Sequence, residues 1–285
     1  SLQYSFSNTF LGNKGQAFQP NIFYKRSKCM FVPLKAYYNY CFHHDNNYYF
    51  NTRKHYTNVS FFANTDKLLS EQDLNIIHTQ NVNEFLNIGL KYKLISSKGI
   101  YVNQEAIDNM LSFFGGYKKG RYILHASYNY NKFKIQNNGG LVNYDSFVQK
   151  IDSGYAFSSL LTNLNQANSI ISYENIQIQQ EIMLGSIKKD SLGNRSDNWG
   201  SFIYQLRTDN FRNKYFDNYS SFYTNYYYDS LETNDSVHQK YFTNALMFKL
   251  YGKKHSPLFF NSIIGIENQY FDYYHRLNRI YDTLN

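Results

Sequence analysis

Between residues 84 and 95 the chain reads E-F-L-N-I-G-L-K-Y-K-L-I. Side chains alternate across a strand, so Leu86, Ile88, Leu90, Tyr92 and Leu94 share one face while Asn87, Gly89, Lys91 and Lys93 share the other. One face suits an apolar solvent and the other suits water. Residues 121–131 repeat the pattern, with Tyr122, Leu124, Ala126, Tyr128 and Tyr130 opposite Arg121, Ile123, His125, Ser127, Asn129 and Asn131. Both runs exceed the five or six residues of an ordinary strand. They match the roughly ten residues a tilted strand needs to cross a bilayer, and their two-faced pattern is the one a transmembrane barrel requires.

The N-terminal residues 1–35 are less regular and read as an entry segment, since Gly12 and Gly15 favour turns and Pro20 and Pro33 remove ladder donors. Barrel strands are expected over 36–285, starting at 37–42 and 47–51 around the polar turn His43-His44-Asp45-Asn46. Adjacent histidines rarely share an ion without a third, distant ligand, so no metal is assigned to that turn. Further strands are expected at 55–63, 73–80, 84–95, 109–117 and 121–131. Gly115-Gly116 suggests a bend or bulge, and Asn137-Asn138-Gly139-Gly140 a hairpin turn. Over 142–172 the alternation breaks: Tyr155, Leu160, Leu161, Leu164, Ala167, Ile170 and Ile171 are spaced like a short amphipathic helix, an insert folded inward or onto the rim. Alternation resumes with Ile176, Ile178, Ile182 and Leu184 opposite Gln177, Gln179, Glu181 and Met183. The last strands fall near 198–208, 212–228, 240–252 and 258–275, for about twelve in all at the spacing of membrane barrels. No blade-like repeat recurs, which disfavours a propeller.

Composition sharpens this picture. The 285 residues include 30 Tyr and 24 Phe against one Trp, and 19% aromatic content excludes a disordered tail. Mean hydropathy is nevertheless −0.58, because polar residues fill the places between the aromatics, as a wet barrel interior demands. Tyrosines gather where strands should meet turns, at Tyr48-Tyr49 and Tyr226-Tyr227-Tyr228, the placement of an interfacial girdle. The net charge of +8 comes from scattered doublets such as Lys25-Arg26, Lys118-Lys119 and Lys253-Lys254, which read as solvated strand ends and not as a nucleic-acid footprint. Cys29 and Cys41 have no metal-type spacing, and one bridge between them stays open. No apolar run of 18 residues offers a transmembrane helix. The chain starts at Ser1 without a leader pattern, so any secretion signal is expected to have been removed or to lie outside this sequence.

Several stretches resemble a known family. His78-Thr79-Gln80-Asn81, the run L-N-I-G-L-K-Y-K-L-I-S-S-K-G-I-Y at 86–101, R-Y-I-L-H-A-S-Y-N-Y-N-K-F-K at 121–134 and the turn at 137–140 are similar to the putative porin family of Bacteroidota outer membranes. The likeness continues more weakly from Phe10-Leu11-Gly12-Asn13 through Leu161-Thr162-Asn163-Leu164 to Tyr251. It implies an antiparallel transmembrane β-barrel in the outer membrane, with outer-membrane lipid around it and a transport role. It brings no binding residues to carry over. The chain stops at Asp282-Thr283-Leu284-Asn285 without the terminal aromatic on which such barrels finish, so an incomplete piece of a barrel is expected.

Catalytic signatures are missing: there is no Gly-rich phosphate loop, G-x-S-x-G elbow, H-E-x-x-H or C-x-x-C. No enzyme activity and no cofactor are assigned. If the chain forms a pore, the charges on its polar parity set selectivity. These are Lys91, Lys93, Arg121, His125, Arg207 and Lys249, with Glu181 and Glu267 as acids, and they predict a mildly anion-preferring or weakly selective channel for small solutes. Two alternatives stand beside it. One is a non-conducting barrel that partners other envelope proteins, or its own copies, in a secretion or uptake complex. The other is a secreted β-protein stacking polysaccharide on Tyr and Trp199.

Overall fold

The fold was analysed in a computed structural model, which describes residues 8–27, 29–64, 70–143, 145, 148, 159–189, 195–218, 233–251 and 261–276. Nine strands form one antiparallel sheet in strict chain order: β3 (Tyr56–Asn64), β4 (Glu71–Asn81), β5 (Leu86–Ser97), β6 (Ala106–Lys119), β7 (Tyr122–Gln136), β8 (Asn168–Lys189), β9 (Arg195–Asp217), β10 (Thr233–Tyr251) and β11 (Asn261–Arg276). Each strand pairs with its sequence neighbours, as in a barrel wall, and β3 and β11 form its two ends among the described residues. A short ribbon of β1 (Asn8–Phe10) and β2 (Phe18–Pro20) stands apart. The chain is thus all-β and barrel-like, and none of its described helices is long and apolar enough to cross a membrane.

Burial follows the two-residue period. On β5, Asn87, Lys91, Ile95 and Ser97 are buried, whereas Ile88 on the opposite face is 42% exposed. Register carries the pattern sideways, because Ile88 pairs with Gly115, Gly115 with Ala126, and Ala126 with Ile178, all on the exposed face. That face bears Phe113, Tyr128, Ile176, Ile178, Ile182, Phe202, Tyr204, Phe242 and Leu246, all exposed. The other face is covered by residues 11–50, which run across it in turns and short 3-10 helices.

Several expectations change. Strands at 37–42 and 47–51 do not form: 3-10 helices occupy Tyr38–Tyr40 and His44–Asn46, and the main sheet starts only at Tyr56. Backbone groups there pair locally within the 3-10 turns, and Phe42 pairs with the Asn131 side chain of the sheet. Gly115 and Gly116 pair without a register shift, while the irregularity lies at Gly185, with φ +118°. Residues 198–208 and 212 onward belong to one continuous strand of 23 residues, not two. Asn168–Ser172, expected in the helical insert, is already β8. Positions 144, 146–147 and 149–158 of that insert, and positions 219–228, lie outside the described residues, as does the Tyr226-Tyr227-Tyr228 cluster. Tyr48 and Tyr49 are no girdle: Tyr49 stacks on His125 at 4.1 Å, and the Tyr48 ring sits 5.0 Å from Lys91 Nζ, both on the covered face.

The two faces should respond oppositely to charge. Ile178→Arg, on the exposed face, should cost about 2–4 kcal/mol of folding free energy in lipid bilayers, and Gln177→Arg, one residue away on the covered face, much less. Denaturant titrations of bilayer-refolded protein would measure both; equal costs would refute the face assignment.

Candidate functional site

The covered face and the segment on it form the most elaborate polar arrangement among the described residues. Its floor is set by register. Across one row lie Lys93, Met110, Asn131, Tyr173, Phe211 and Gln239, and across the next Lys91, Ser112, Asn129, Asn175, Asp209 and Tyr241. Toward one end of the strands the floor is apolar: Ile95, Met110, Phe133, Ile135, Ile171, Tyr173, Phe211 and Tyr241 pack against Phe18, Phe31, Leu34, Tyr40 and Cys41 of the covering segment. Phe31 stacks on Phe211 at 5.4 Å, and Tyr173 on Phe211 at 4.6 Å. Each fully buried anchor such as Phe31 or Leu34 contributes about 1.5–3 kcal/mol, more than a typical hydrogen bond at about 1. Burial of these rings holds the segment down, and the polar contacts fix where it lies.

Those contacts begin with Asn131. Its Oδ1 accepts the Phe42 N–H at 2.7 Å, and its Nδ2 donates to Phe42 O at 2.9 Å, so one amide does for Phe42 what a neighbouring strand would have done. Beside it runs a chain of side chains. Ser112 Oγ donates to Asn47 Oδ1 (3.3 Å), Asn47 Nδ2 to Asn129 (3.3 Å), Asn129 to Asn175 (3.2 Å), and Asn175 to Asp209 Oδ1 (2.7 Å). Tyr173 Oη also donates to that carboxylate at 2.8 Å. Arg207 Nε lies 2.9 Å from Asp209 Oδ2, and its NH1 donates to His44 Nε2 at 3.0 Å. From Asn47 onward the chain runs across the sheet and returns to the covering segment at His44. Such a network, largely buried, specifies one placement of the segment.

Lys91 makes the third tie. Its ammonium donates to Asn46 O at 3.2 Å and lies 5.0–5.8 Å from the ring centres of Tyr48, Phe114 and Phe42. The sheet makes room for this cage at Gly89, where an added Cβ would stand 2.2 Å from the Phe114 ring. At the other end, Asn13 Nδ2 donates to Ser97 Oγ at 2.6 Å, Lys14 pairs with Asp73, and Gly15, with φ +86°, lies directly over Asp108.

Apart from Arg121, the residues singled out in the sequence share this face by register, and the structure separates them by use. Lys91 and Arg207 are engaged by the segment, and His125 lies under Tyr49. Lys93 lies beside Met110 in the floor. Glu181 accepts from Tyr251 Oη at 3.1 Å, with Lys249 Nζ 4.9 Å from the same ring, and Glu267 is exposed on β11. Arg121 belongs to the tight turn before β7 and is exposed. Sequence reasoning passed over Asp73, Asp108, Asp209 and Asp217 on the same face, and the asparagines that bind the segment. One signal was legible: Phe133, Ile135, Ile171, Tyr173 and Phe211 are apolar residues on the parity assigned to water, which implies that something dry covers them.

Cys29 and Cys41 are free thiols, donating to Phe31 O at 3.6 Å and Tyr37 O at 3.7 Å. Burial pushes the Cys29 thiol up to about 11 and holds Cys41 well above the usual thiol range. Among the described residues one group could hold a metal ion, His43, His44 and Asp45, also on the segment.

Two outcomes follow for the folded chain. Maleimide at pH 8 should label both cysteines at least tenfold more slowly than in the unfolded chain, since the thiolate is the nucleophile and a thiol of pKa about 11 is only about 0.1% ionised there; equal rates would place the segment off the sheet. Asn131→Leu leaves both polar groups of Phe42 unpaired, at a cost of about 1–3 kcal/mol. Trypsin should then cut at Lys25, Arg26 and Lys35 faster than in the parent, and unchanged cleavage would count against this hold.

Comparison with curated proteins and with solved structures finds no match. A family profile described as "putative porin" matches residues 3–284, nearly the whole chain, and agrees with a wall of consecutive antiparallel strands that is polar on one face and apolar on the other. The chain belongs to the putative porin family.

Proposed function

We propose that this chain is a non-enzymatic, porin-like β-barrel protein of the outer membrane that lets small solutes pass, with the exposed sheet face against hydrocarbon and the covered face toward the lumen. The observation that carries the reading is the family match over 3–284 on a single antiparallel sheet of nine consecutive strands. A water-facing interior explains the asparagines, serines and charges on one parity; lipid contact explains the exposed Leu, Ile, Phe and Tyr on the other. In this reading Lys91, Lys93, Arg121, His125, Arg207, Lys249, Glu181 and Glu267 line the lumen. Asp73, Asp108, Asp209 and Asp217 share that face and offset the basic excess, favouring weak selectivity over a strong anion preference.

A second reading has its own support. Residues 11–50 lie across the covered face and are tied to it at Asn131, Lys91 and Arg207, as a plug would be. A plugged barrel suits a subunit of an envelope secretion or uptake complex. Planar-bilayer recordings of the purified chain separate the two. The channel reading expects discrete conductance steps and a reversal potential near zero with a slight anion bias; clear cation preference would reject the lumen assignment. A correctly folded protein that never conducts would leave the subunit reading in place.

A further inference from the structure

The turn that docks against Arg207 brings three ligand atoms to one point. His43 has extended backbone and His44–Asn46 coil into a single 3-10 turn, which swings the Asp45 carboxylate between the two imidazoles. Asp45 Oδ1 stands 3.2 Å from His44 Nε2, Oδ2 stands 3.8 Å from His43 Nδ1, and one ligand atom from each residue lies within 4.8 Å of the others. Two ligands each about 2.1 Å from one tetrahedral ion are about 3.4 Å apart, so the observed spacings straddle what an ion would need. Asp45, the next residue, supplies a third ligand atom beside the two imidazoles.

The geometry points to a divalent transition-metal site with His43, His44 and Asp45 as its three protein ligands and Zn2+ as the ion it suits best. Two imidazoles and a carboxylate favour zinc, nickel or copper over calcium and magnesium, which take oxygen ligands. The Asp45 side chain is 71% exposed, which gives an ion a way in and leaves a fourth position for water or a donor atom of a passing solute. Tyr38 stacks on the His43 ring at 4.7 Å and fixes its plane. Burial lowers both imidazoles from the ordinary histidine range, His43 to about 4, so their lone pairs are not lost to protons at neutral pH. Arg207 is the competitor: its NH1 directs a proton at the His44 Nε2 lone pair. Its ion pair with Asp209 gives the guanidinium a second anchor when the metal takes that lone pair.

The test is calorimetric titration of ZnCl2 into the full chain, folded in detergent micelles and stripped with chelator. One Zn2+ per chain is expected, with Asp45→Asn and His44→Ala each weakening binding at least tenfold, Arg207→Gln strengthening it severalfold, and CaCl2 giving no heat of binding. Because Asp45 is exposed, Asp45→Asn carries the test even if the histidine variants fold poorly, and heat-modifiable gel migration reports folding for each. No binding, binding unchanged by Asp45→Asn, calcium binding as tight as zinc, or weakening by Arg207→Gln would overturn the assignment.

Discussion

The ladder between consecutive antiparallel strands is the constraint from which everything else here follows. Each strand from β4 to β10 hydrogen-bonds to both sequence neighbours in unbroken register, apart from the irregularity near Gly185. Since backbone groups are satisfied within the sheet, side chains alone decide which solvent each face meets. Period two then commits every other residue, over nine strands, to the same side. A one-residue slip of β7 against β6 would turn Ala126 toward the covered face and Asn129 and Asn131 away from it together.

What the ladder leaves unsettled is the far side of the polar face, and residues 11–50 settle it. An irregular segment laid on a sheet carries backbone groups that need partners, and this one finds several in sheet side chains: Asn131 for Phe42, Lys91 for Asn46 O, and Glu71 and Ser97 for the N–H and O of Lys14. Apolar anchors supply the larger share of the hold, at Phe31, Leu34 and Tyr40, while the asparagine chain ending on Asp209 and Arg207 sets position. Both are built from residues of one parity. A polar face that accommodates Phe133, Ile171 and Phe211 is therefore only partly a wet surface. The same contacts place His44 against Arg207 and so set the character of the turn at 43–45.

From the sequence alone, the two-faced wall, its approximate strand positions from residue 55 onward and the parity of the candidate charges within strands were legible, because alternation is a local property that the pleat converts directly into faces. Family membership was legible too, in the runs at 78–101 and 121–140. The covering of the polar face, the joining of Asn47, Asn129, Asn175, Asp209, Arg207 and His44 into one chain, and the loss of strands at 37–42 and 47–51 were decided only in three dimensions. The two ties of that chain to the covering segment join residues 82 and 163 positions apart. Which floor lies beneath a tyrosine-rich segment depends on cross-strand rows, and these exist only once the register of the whole sheet has been made.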